Sequence, residues 1–432
     1  MTLVTISELD IVSPKRTAHA DSPWANFLPY YAGFPEVFVS KILKSADLPR
    51  RAHILDPWNG SGTTTAVAAS LGYAATGLDI NPVMIISARA RLLPKSEANS
   101  LSPLAREIVC SAKFETEDVS GGDPLLKWFG PATAQCLRAI ERSIWRHLIH
   151  SKNPRGDQIS SMSCIAAAYY VALFATVKGL IQPFTTSNPT WVRLPRPAEK
   201  RVGLRTIYIS QQFLRNVENI SYSIKLGFHS AKRDASSQTI LADTTQPIKT
   251  GNSFDLVITS PPYCTRLDYT TATRVELALL YPLHTSTEHS LSKRMIGSTK
   301  VPDQLPTPAK EWGRSCLHFL NILKHHSSKA SQNYYYKTHV DYFDKMWNSL
   351  YNITKVTKHT AKIIMVIQDS YYKDVHNDVP THISEMAFSV GMKLQRRSNF
   401  LASQSMAFLN TRSSLYISSK RPVESVLCFE RF

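Results

Sequence analysis

Along its first hundred positions the chain alternates short apolar runs with polar turns, and the spacing of the apolar residues switches between two periods. AHILDP (52–57) is a brief apolar run closed by an acid and a proline, which predicts a short strand. NGSGTT follows, and then TTAVAASLG (64–72), whose small helix-forming residues stop at Gly72. AATGLDI (74–80) predicts a second strand. NPVMIISARARLL (81–93) predicts a helix, with Asn81 placed to cap it and Pro82 in its first turn. Upstream, PEVFVSKILKSA (35–46) has a helical pattern with Pro35 at its start. Strand, glycine-rich turn, helix, strand and helix in succession are the grammar of a parallel, doubly wound α/β sheet.

Residues 94–235 interrupt that alternation. Helical segments run through LKWFGPATAQCLRAIERSIWRHLI (126–149) and SSMSCIAAAYYVALFATVKGL (160–180), and QPFTTSNPTWVRLPRP (182–197) is polar and proline-rich. Strand character resumes in TILAD (239–243) and FDLVITS (254–260). YTTATRVELALLYPL (269–283) reads as a helix, and 284–336 as a second, smaller polar insertion rich in lysine and histidine. YFDKMWNSLYNITKVT (342–357) predicts a helix, KIIMVIQDS (362–370) a strand, and THISEMAFSVG (381–391) a helix closed by Gly391. The tail, SSLYISS (413–419) with SVLCFERF (425–432), alternates like a final hairpin, and residues 1–22 read as a loose polar arm. The expected organisation is a first half-core over 1–93, a basic and mainly helical insertion over 94–235, and a catalytic half-core over 236–432 carrying the insertion at 284–336.

Composition adds a partner class. Of 432 residues, 50 are Lys or Arg and 33 are Asp or Glu, a net charge of +17. Such an excess points to a polyanion, nucleic acid before an anionic membrane surface. Between Arg138 and Asp234 there are 15 lysines and arginines against 5 acids, so much of the excess lies in the first insertion. The six cysteines, at 110, 136, 164, 264, 316 and 428, never fall at C-x-x-C spacing, which argues against a zinc knuckle or redox pair. The fourteen histidines show no ligand spacing, and His325–His326 reads as polar surface, so no metal is expected. The start of the chain lacks the apolar core of a signal peptide, and CIAAAYYVALFATV (164–177) is short for a membrane span; a reducing cytoplasm is expected.

Two motifs carry chemistry. In DPWNGSGTTT (56–65) a G-x-G turn between strand and helix lets backbone approach a ligand closely, and the helix start offers free N–H groups. Asp79 ends the next strand 19 residues after Gly60, where this architecture grips a ribose diol. No lysine follows Gly62, so a triphosphate loop is excluded. In TSPPY (259–263) two prolines, which lack N–H groups, end a buried strand and are followed by an aromatic ring. A nucleobase amino group is a poor nucleophile because its lone pair is delocalised. Making it attack requires hydrogen-bond acceptors without competing donors. Ser260 and the Pro261 carbonyl supply acceptors, Pro262 stiffens the pair, and Tyr263 offers a face on which an extruded base can stack.

DPWNGSGTT, GLDINP and TSPPY together resemble the cofactor, ribose and catalytic motifs of the S-adenosylmethionine-dependent amino-methyltransferases of DNA, the N4-cytosine and N6-adenine group. Trp58 stands where phenylalanine is usual. The resemblance covers 24–93 and 239–432 and implies a doubly wound, Rossmann-like methyltransferase sheet, mostly parallel, with a C-terminal antiparallel hairpin and a largely helical inserted region. It implies that Asp56, Trp58, Gly60, Gly62 and Thr63 border the methionine half of S-adenosylmethionine, that Asp79 holds its ribose and that Asp243 meets its adenine. NFLPYYAGFP (26–35) would match the N-terminal cofactor segment, and RLDYTTATRVELALL and IQDSYYKD also look familiar from bacterial members. Its serine form points to N4 of cytosine in double-stranded DNA, with base flipping and direct methyl transfer, in a restriction-modification or phage-defence setting with a cognate endonuclease or other defence proteins as partners. Three other readings stay open: an N6-adenine DNA methyltransferase, an RNA base amino-methyltransferase, and a DNA-binding protein that kept the fold without catalysis. Two regions compete as the DNA-reading face. One holds Trp191, Arg193, Arg196, Lys200, Arg201 and Arg205, the other Lys293, Arg294 and Lys300.

Overall fold

The computed structural model describes residues 5–15, 24, 33–115, 118–149, 158–186, 191–228, 237–251, 253–264, 269–284, 287–372, 375–401 and 423–432. Among them, one seven-stranded sheet comprises β1 (His53–Asp56), β2 (Ala74–Asp79), β3 (Gln238–Leu241), β4 (Phe254–Thr259), β5 (Thr357–Gln368), β8 (Met392–Leu401) and β9 (Val423–Arg431). β6 (Ser370–Tyr372) and β7 (Val375–Asn377) form a separate small hairpin. The order across the large sheet is β3-β2-β1-β4-β5-β9-β8. The first five strands are parallel, and β9 runs antiparallel to both its neighbours.

The period-2 rule assigns the two faces. Ile54, Leu256, Ile258, Ile364, Val366, Val426 and Cys428 point to one side, where α1 (Glu36–Ser45) and α2 (Thr63–Ser70) cover them. Leu55, Val257, Ile363, Met365, Ile367, Leu427 and Phe429 point to the other, into the core with α11 (Arg314–His325), α12 (Tyr336–Val356) and α13 (Val379–Ser389). Each large apolar side chain buried this way contributes about 1.5–3 kcal/mol before chain entropy is counted.

A third core lies beside the sheet. It joins α3 (Pro82–Ala90) to the inserted helices α4 (Leu101–Ala112), α5 (Pro131–Leu148), α6 (Cys164–Leu180) and α7 (Thr206–Leu226). α6 is apolar almost all round because α3, α5 and α7 pack on it, together with α9 (Arg274–Leu279). α8 (Tyr269–Ala272) and α10 (Glu288–Arg294) flank α9 in sequence. Two buried arginines fasten the insertion. Arg89 of α3 donates to the hydroxyl and carbonyl of Thr239 at the start of the returning strand (3.1 and 2.6 Å), and to the Met162 and Ile159 carbonyls of the insertion. Arg138 of α5 pairs with Asp123 (2.7 Å) and donates to the carbonyls of Leu279 and Ala278 at the end of α9 (2.5 and 2.8 Å).

The predicted elements of 35–93 stand within two residues or so of their predicted ends, with Asn81 capping α3 through Val83 N–H. Four expectations change. The stretch 269–283 breaks at Thr273 into α8 and α9. The final hairpin pairs β9 with MKLQRRSNFL (392–401), whose charges hide its alternation, while SSLYISS lies outside the described residues. Part of 284–336 is core: α11 buries Cys316, Phe319, Leu320 and Leu323. The arm is docked over 5–15: Ile6 and Leu9 are buried, Arg396 donates to the Leu9 carbonyl (3.0 Å), and Asp10 N–H donates to Ser45 (3.0 Å). Two buried apolar residues in an otherwise polar stretch were too weak a pattern to predict docking. No helix among the described residues is long and apolar enough to cross a membrane.

Arg89→Met keeps the side chain's length but strands three buried carbonyls and a hydroxyl. It is expected to cost at least about 2 kcal/mol, read as a lowered urea midpoint, whereas the exposed Arg205→Met changes the midpoint little.

Candidate active site

The strand order reverses between β1 and β4, so the connections leaving their carboxyl ends diverge there, at the switch point where doubly wound sheets take ligands. DPWNGSGTT leaves β1 and TSPPY leaves β4, so both motifs emerge at this point. A buried carboxylate ties them together. Asp56 Oδ1 accepts from the Thr259 hydroxyl (2.6 Å) and from Trp58 N–H (3.2 Å), and Oδ2 accepts from the Thr64 hydroxyl (2.6 Å). Burial pushes the Asp56 carboxyl up to about 6 despite these three donors. Thr64 and Thr259 lie within the two motifs, but only the fold brings their hydroxyls to one carboxylate.

In the turn, Gly60 (φ +49°) and Gly62 (φ +86°) occupy the left-handed region that favours glycine. A Cβ on Gly62 would lie 2.7 Å from Cα and Cβ of Ala88, so the start of α2 rests directly on α3. Gly60 N–H donates to Asp79 Oδ2 (3.0 Å) and Asn81 N–H to Oδ1 (2.8 Å), linking the turn to the end of β2. Burial, with a smaller push from Asp56, raises the Asp79 carboxyl to about 6 as well. Thr63 accepts from Arg91 (3.1 Å), which also binds the Ser61 carbonyl and pairs with Glu36. Asp243 lies two residues beyond β3. Ala242 N–H donates to the Asp79 carbonyl (2.9 Å), which sets the Asp243 segment beside Asp79. Its carboxylate accepts from Thr245 and pairs with Arg294 (3.3 Å), a residue expected to face DNA.

The turn also fits a ligand rich in acceptors. Two donors in it, Trp58 Nε1 and Asn59 Nδ2, are buried without a hydrogen-bond partner among the described residues. Buried donors are rarely left so, and an adenosyl or carboxylate group would supply what they lack. Of the predicted N-terminal cofactor segment 26–35, residues 26–32 lie outside the described residues. Among those described, no group of three or more His, Cys, Asp or Glu could hold a metal ion.

The Ser260 hydroxyl donates to the Val366 carbonyl of β5 (3.1 Å), which uses its proton and leaves its lone pairs to accept. Pro261 is buried, and the Pro262 carbonyl accepts from the Tyr342 hydroxyl (3.0 Å). Tyr263 is half-buried, and its hydroxyl donates to Glu424 Oε1 of β9 (3.1 Å). Burial, with Glu424 beside it, raises the phenol's pKa well above the ordinary value. A Cβ on Gly297 (φ +77°) would stand 2.8 Å from the Tyr263 carbonyl, so this glycine admits the TSPPY segment. Tyr342, Glu424 and Gly297 lie far away in sequence and gave no signal there.

The proposed DNA-facing residues divide. Trp191, Arg196, Lys200 and Arg205 are exposed. Arg193 is held by Glu199 through two hydrogen bonds (2.6 and 3.0 Å), and Arg201 donates to the carbonyls of Glu199 and Arg196 (2.8 and 3.3 Å). These two shape the loop rather than extend from it. A cleft of about 710 Å³, lined in part by Phe184, Arg193, Lys200, Arg201 and Tyr208, opens there. Arg274 of α9 donates to the Val192 carbonyl (3.2 Å) and Lys178 of α6 to the Ala272 carbonyl (2.8 Å), which fastens the loop and α6 to the segment after TSPPY. Lys293 and Lys300 are half-buried and Arg294 is exposed on α10 and the turn beyond it.

A sheet of order β3-β2-β1-β4-β5-β9-β8, with β9 alone reversed and a glycine turn after β1, is the Rossmann-like methyltransferase fold. The chain is similar to the Type II methyltransferase M.BsoBI of Geobacillus stearothermophilus, 23% identical over 269 residues, a match that takes in 59% of this chain and 52% of that protein. The chain thus spans about half the length of the curated relative it matches. No protein-family model matches. A solved structure, the rRNA methyltransferase aviRa from Streptomyces viridochromogenes, aligns at 12% identity with a TM-score of 0.32, covering 96% of this chain and 94% of that one; so loose a superposition adds nothing to the reading.

The two raised carboxyls set a pH dependence. Their folded pKa values, about 6, exceed the ordinary 3.8, so the stability they contribute is fully present below about pH 4 and is lost as pH rises through about 6. In the ligand-free protein, Asp79→Asn is therefore expected to flatten the decline of melting temperature between pH 4 and 6 relative to wild type, as read by scanning calorimetry.

Proposed function

We propose that the chain is an S-adenosylmethionine-dependent DNA methyltransferase acting on the N4 amino group of cytosine. One observation carries the reading: the Asp56–Thr259 hydrogen bond joins the glycine turn to TSPPY, so an acceptor-only cluster lies against a turn suited to an adenosyl ligand. Asp56, Trp58, Gly60, Gly62, Thr63, Asp79 and Asp243 would hold S-adenosylmethionine, whose chemistry is a methyl group activated by a sulfonium.

The chain's own residues would then do three things. Ser260 and the Pro261 carbonyl accept the two amino hydrogens, drawing the nitrogen lone pair out of conjugation. Ser260 is prepared for this because its proton already goes to Val366. The Tyr342–Pro262 hydrogen bond fixes the proline pair before substrate arrives, so little reorganisation is left to the reaction. Tyr263 stacks on the extruded base. Cys264 is buried and lies within hydrogen-bonding reach of Asn377, which supports packing as its role. A direct displacement needs no enzyme nucleophile, and the released proton passes to solvent.

Cytosine is favoured over adenine by the serine of TSPPY. Double-stranded DNA is favoured by the exposed Trp191, Arg196, Lys200 and Arg205 on a loop fastened to the catalytic segment. A restriction-modification or defence setting follows from the same reading, with a cognate endonuclease as the natural partner.

Incubation of DNA with labelled S-adenosylmethionine, followed by nucleoside mass spectrometry, is expected to yield N4-methylcytosine, and Ser260→Ala to lower kcat about a hundredfold. N6-methyladenine as the sole product would overturn the cytosine assignment. Label only in RNA would overturn the DNA assignment, and bound cofactor with no transfer would favour a DNA-binding protein. Lys200→Ala and Arg205→Ala are each expected to weaken DNA binding and to reduce the slope of log K against log salt by about one. Arg193→Ala is expected to act through loop order instead.

A further inference from the structure

Stacking needs only an aromatic ring, and phenylalanine at 263 would provide one. The Tyr263 hydroxyl is an additional group, and its single proton goes to Glu424 (3.1 Å). Glu424 is 8% exposed and lies on β9, opposite Gln368 of β5 and Phe400 of β8. Its carboxylate also feels the charge of Lys15, whose ammonium is buried without a hydrogen-bond partner among the described residues. Burial lowers the Lys15 pKa while Glu424 raises it; burial also raises the Glu424 carboxyl overall, against the opposing pull of the Tyr263 hydroxyl and then of Lys15. The docked arm delivers this lysine: Arg396 holds the carbonyls of Ser7 and Leu9, Lys41 pairs with Asp10 (3.1 Å), and Pro14 is buried. Thus Glu424 is hydrogen-bonded to Tyr263 and lies within the electrostatic reach of Lys15, three residues from remote parts of the chain.

We propose that Glu424 is a positioning residue for methyl transfer: its carboxylate, backed by the Lys15 ammonium, fixes the plane of the Tyr263 ring against which the acceptor base stacks. The proposal rests on the function given above. A ring free to turn about its χ angles would spread the base over many orientations, and productive geometry tolerates only about 10–20°. A carboxylate is the stronger acceptor for the phenol, so the tether depends on Glu424 remaining ionised in a buried place, and Lys15 is the cation that favours that state. The other titratable groups around it are Tyr269, whose hydroxyl receives Tyr263 N–H (3.5 Å), and Asp369 past the end of β5. Asp369 accepts from Val423 N–H (2.7 Å) and pairs with His376 (2.9 Å).

The test measures kcat, KM and the pH profile of kcat on DNA for Tyr263→Phe, Glu424→Leu, Glu424→Gln, Lys15→Met and the Tyr263→Phe/Glu424→Leu double variant, with melting curves alongside. Tyr263→Phe and Glu424→Leu are each expected to lower kcat about tenfold with KM for S-adenosylmethionine unchanged, and the double variant to fall no further. Glu424→Gln, which keeps an acceptor, recovers most of kcat and loses the acid limb that ionisation of Glu424 imposes. Lys15→Met moves that limb to higher pH, and the movement disappears when Tyr263→Phe is added. Losses that add in the double variant, or losses that follow melting temperature with the pH profile unmoved, overturn the proposal while leaving the methyltransferase reading intact. A wild-type protein that methylates no nucleic acid overturns both.

Discussion

One buried anion holds the site together. Asp56 sits at the end of β1 and takes hydrogen bonds from Thr64 at the start of α2 and Thr259 at the end of β4. Carboxylate hydrogen bonds contribute about 1.5–3 kcal/mol each, while bringing the charge out of water costs several, so the arrangement stabilises the fold only while both hydroxyls are present. Its larger effect is geometric. The helix that begins at the glycine turn and the strand that ends in TSPPY answer to the same two oxygens, so neither moves without the other. Burial raises both Asp56 and Asp79 to about 6, so near neutral pH the fold holds two buried anions at the carboxyl ends of adjacent strands.

The positive charge of the chain is put to two uses. Part of it is interior. Arg89 and Arg138 close carbonyl ends that the insertion would otherwise leave unpaired, and Lys178 reaches the end of α8 near the buried Glu276. Arg193 is spent on Glu199. The exposed cations of the 191–205 loop are therefore fewer than a count of residues suggests, and Trp191, Arg196, Lys200 and Arg205 remain at its surface. A net charge read from sequence overstates a nucleic-acid face whenever arginines serve as internal hydrogen-bond donors.

Local chemistry was legible, and long-range assembly was not. The elements of 35–93 followed from hydrophobic period, Asn81, Pro82 and Gly72, because those signals act within a few residues. The glycines of the turn and the prolines of TSPPY carried their meaning in their own backbone limits. By contrast, β8 was hidden because alternate positions on its exposed face are Lys393, Gln395, Arg397 and Asn399, and α11 was hidden inside a histidine- and lysine-rich stretch whose apolar stripe is four residues. Glu424, Tyr342 and Gly297 meet TSPPY only through the fold, so nothing near them in sequence could have marked them.

The helix α3 touches both the sheet and the insertion: it flanks β3 through Arg89 and Thr239, and its apolar residues form one wall of the helical core against α6. Exchanging the insertion for that of a relative would thus fail at a junction drawn after residue 93. A transplant that carried Pro82–Ala90 along with the inserted helices, and Thr239 to receive Arg89, would keep the shared wall whole, so the unit that can be exchanged is larger than the insertion itself.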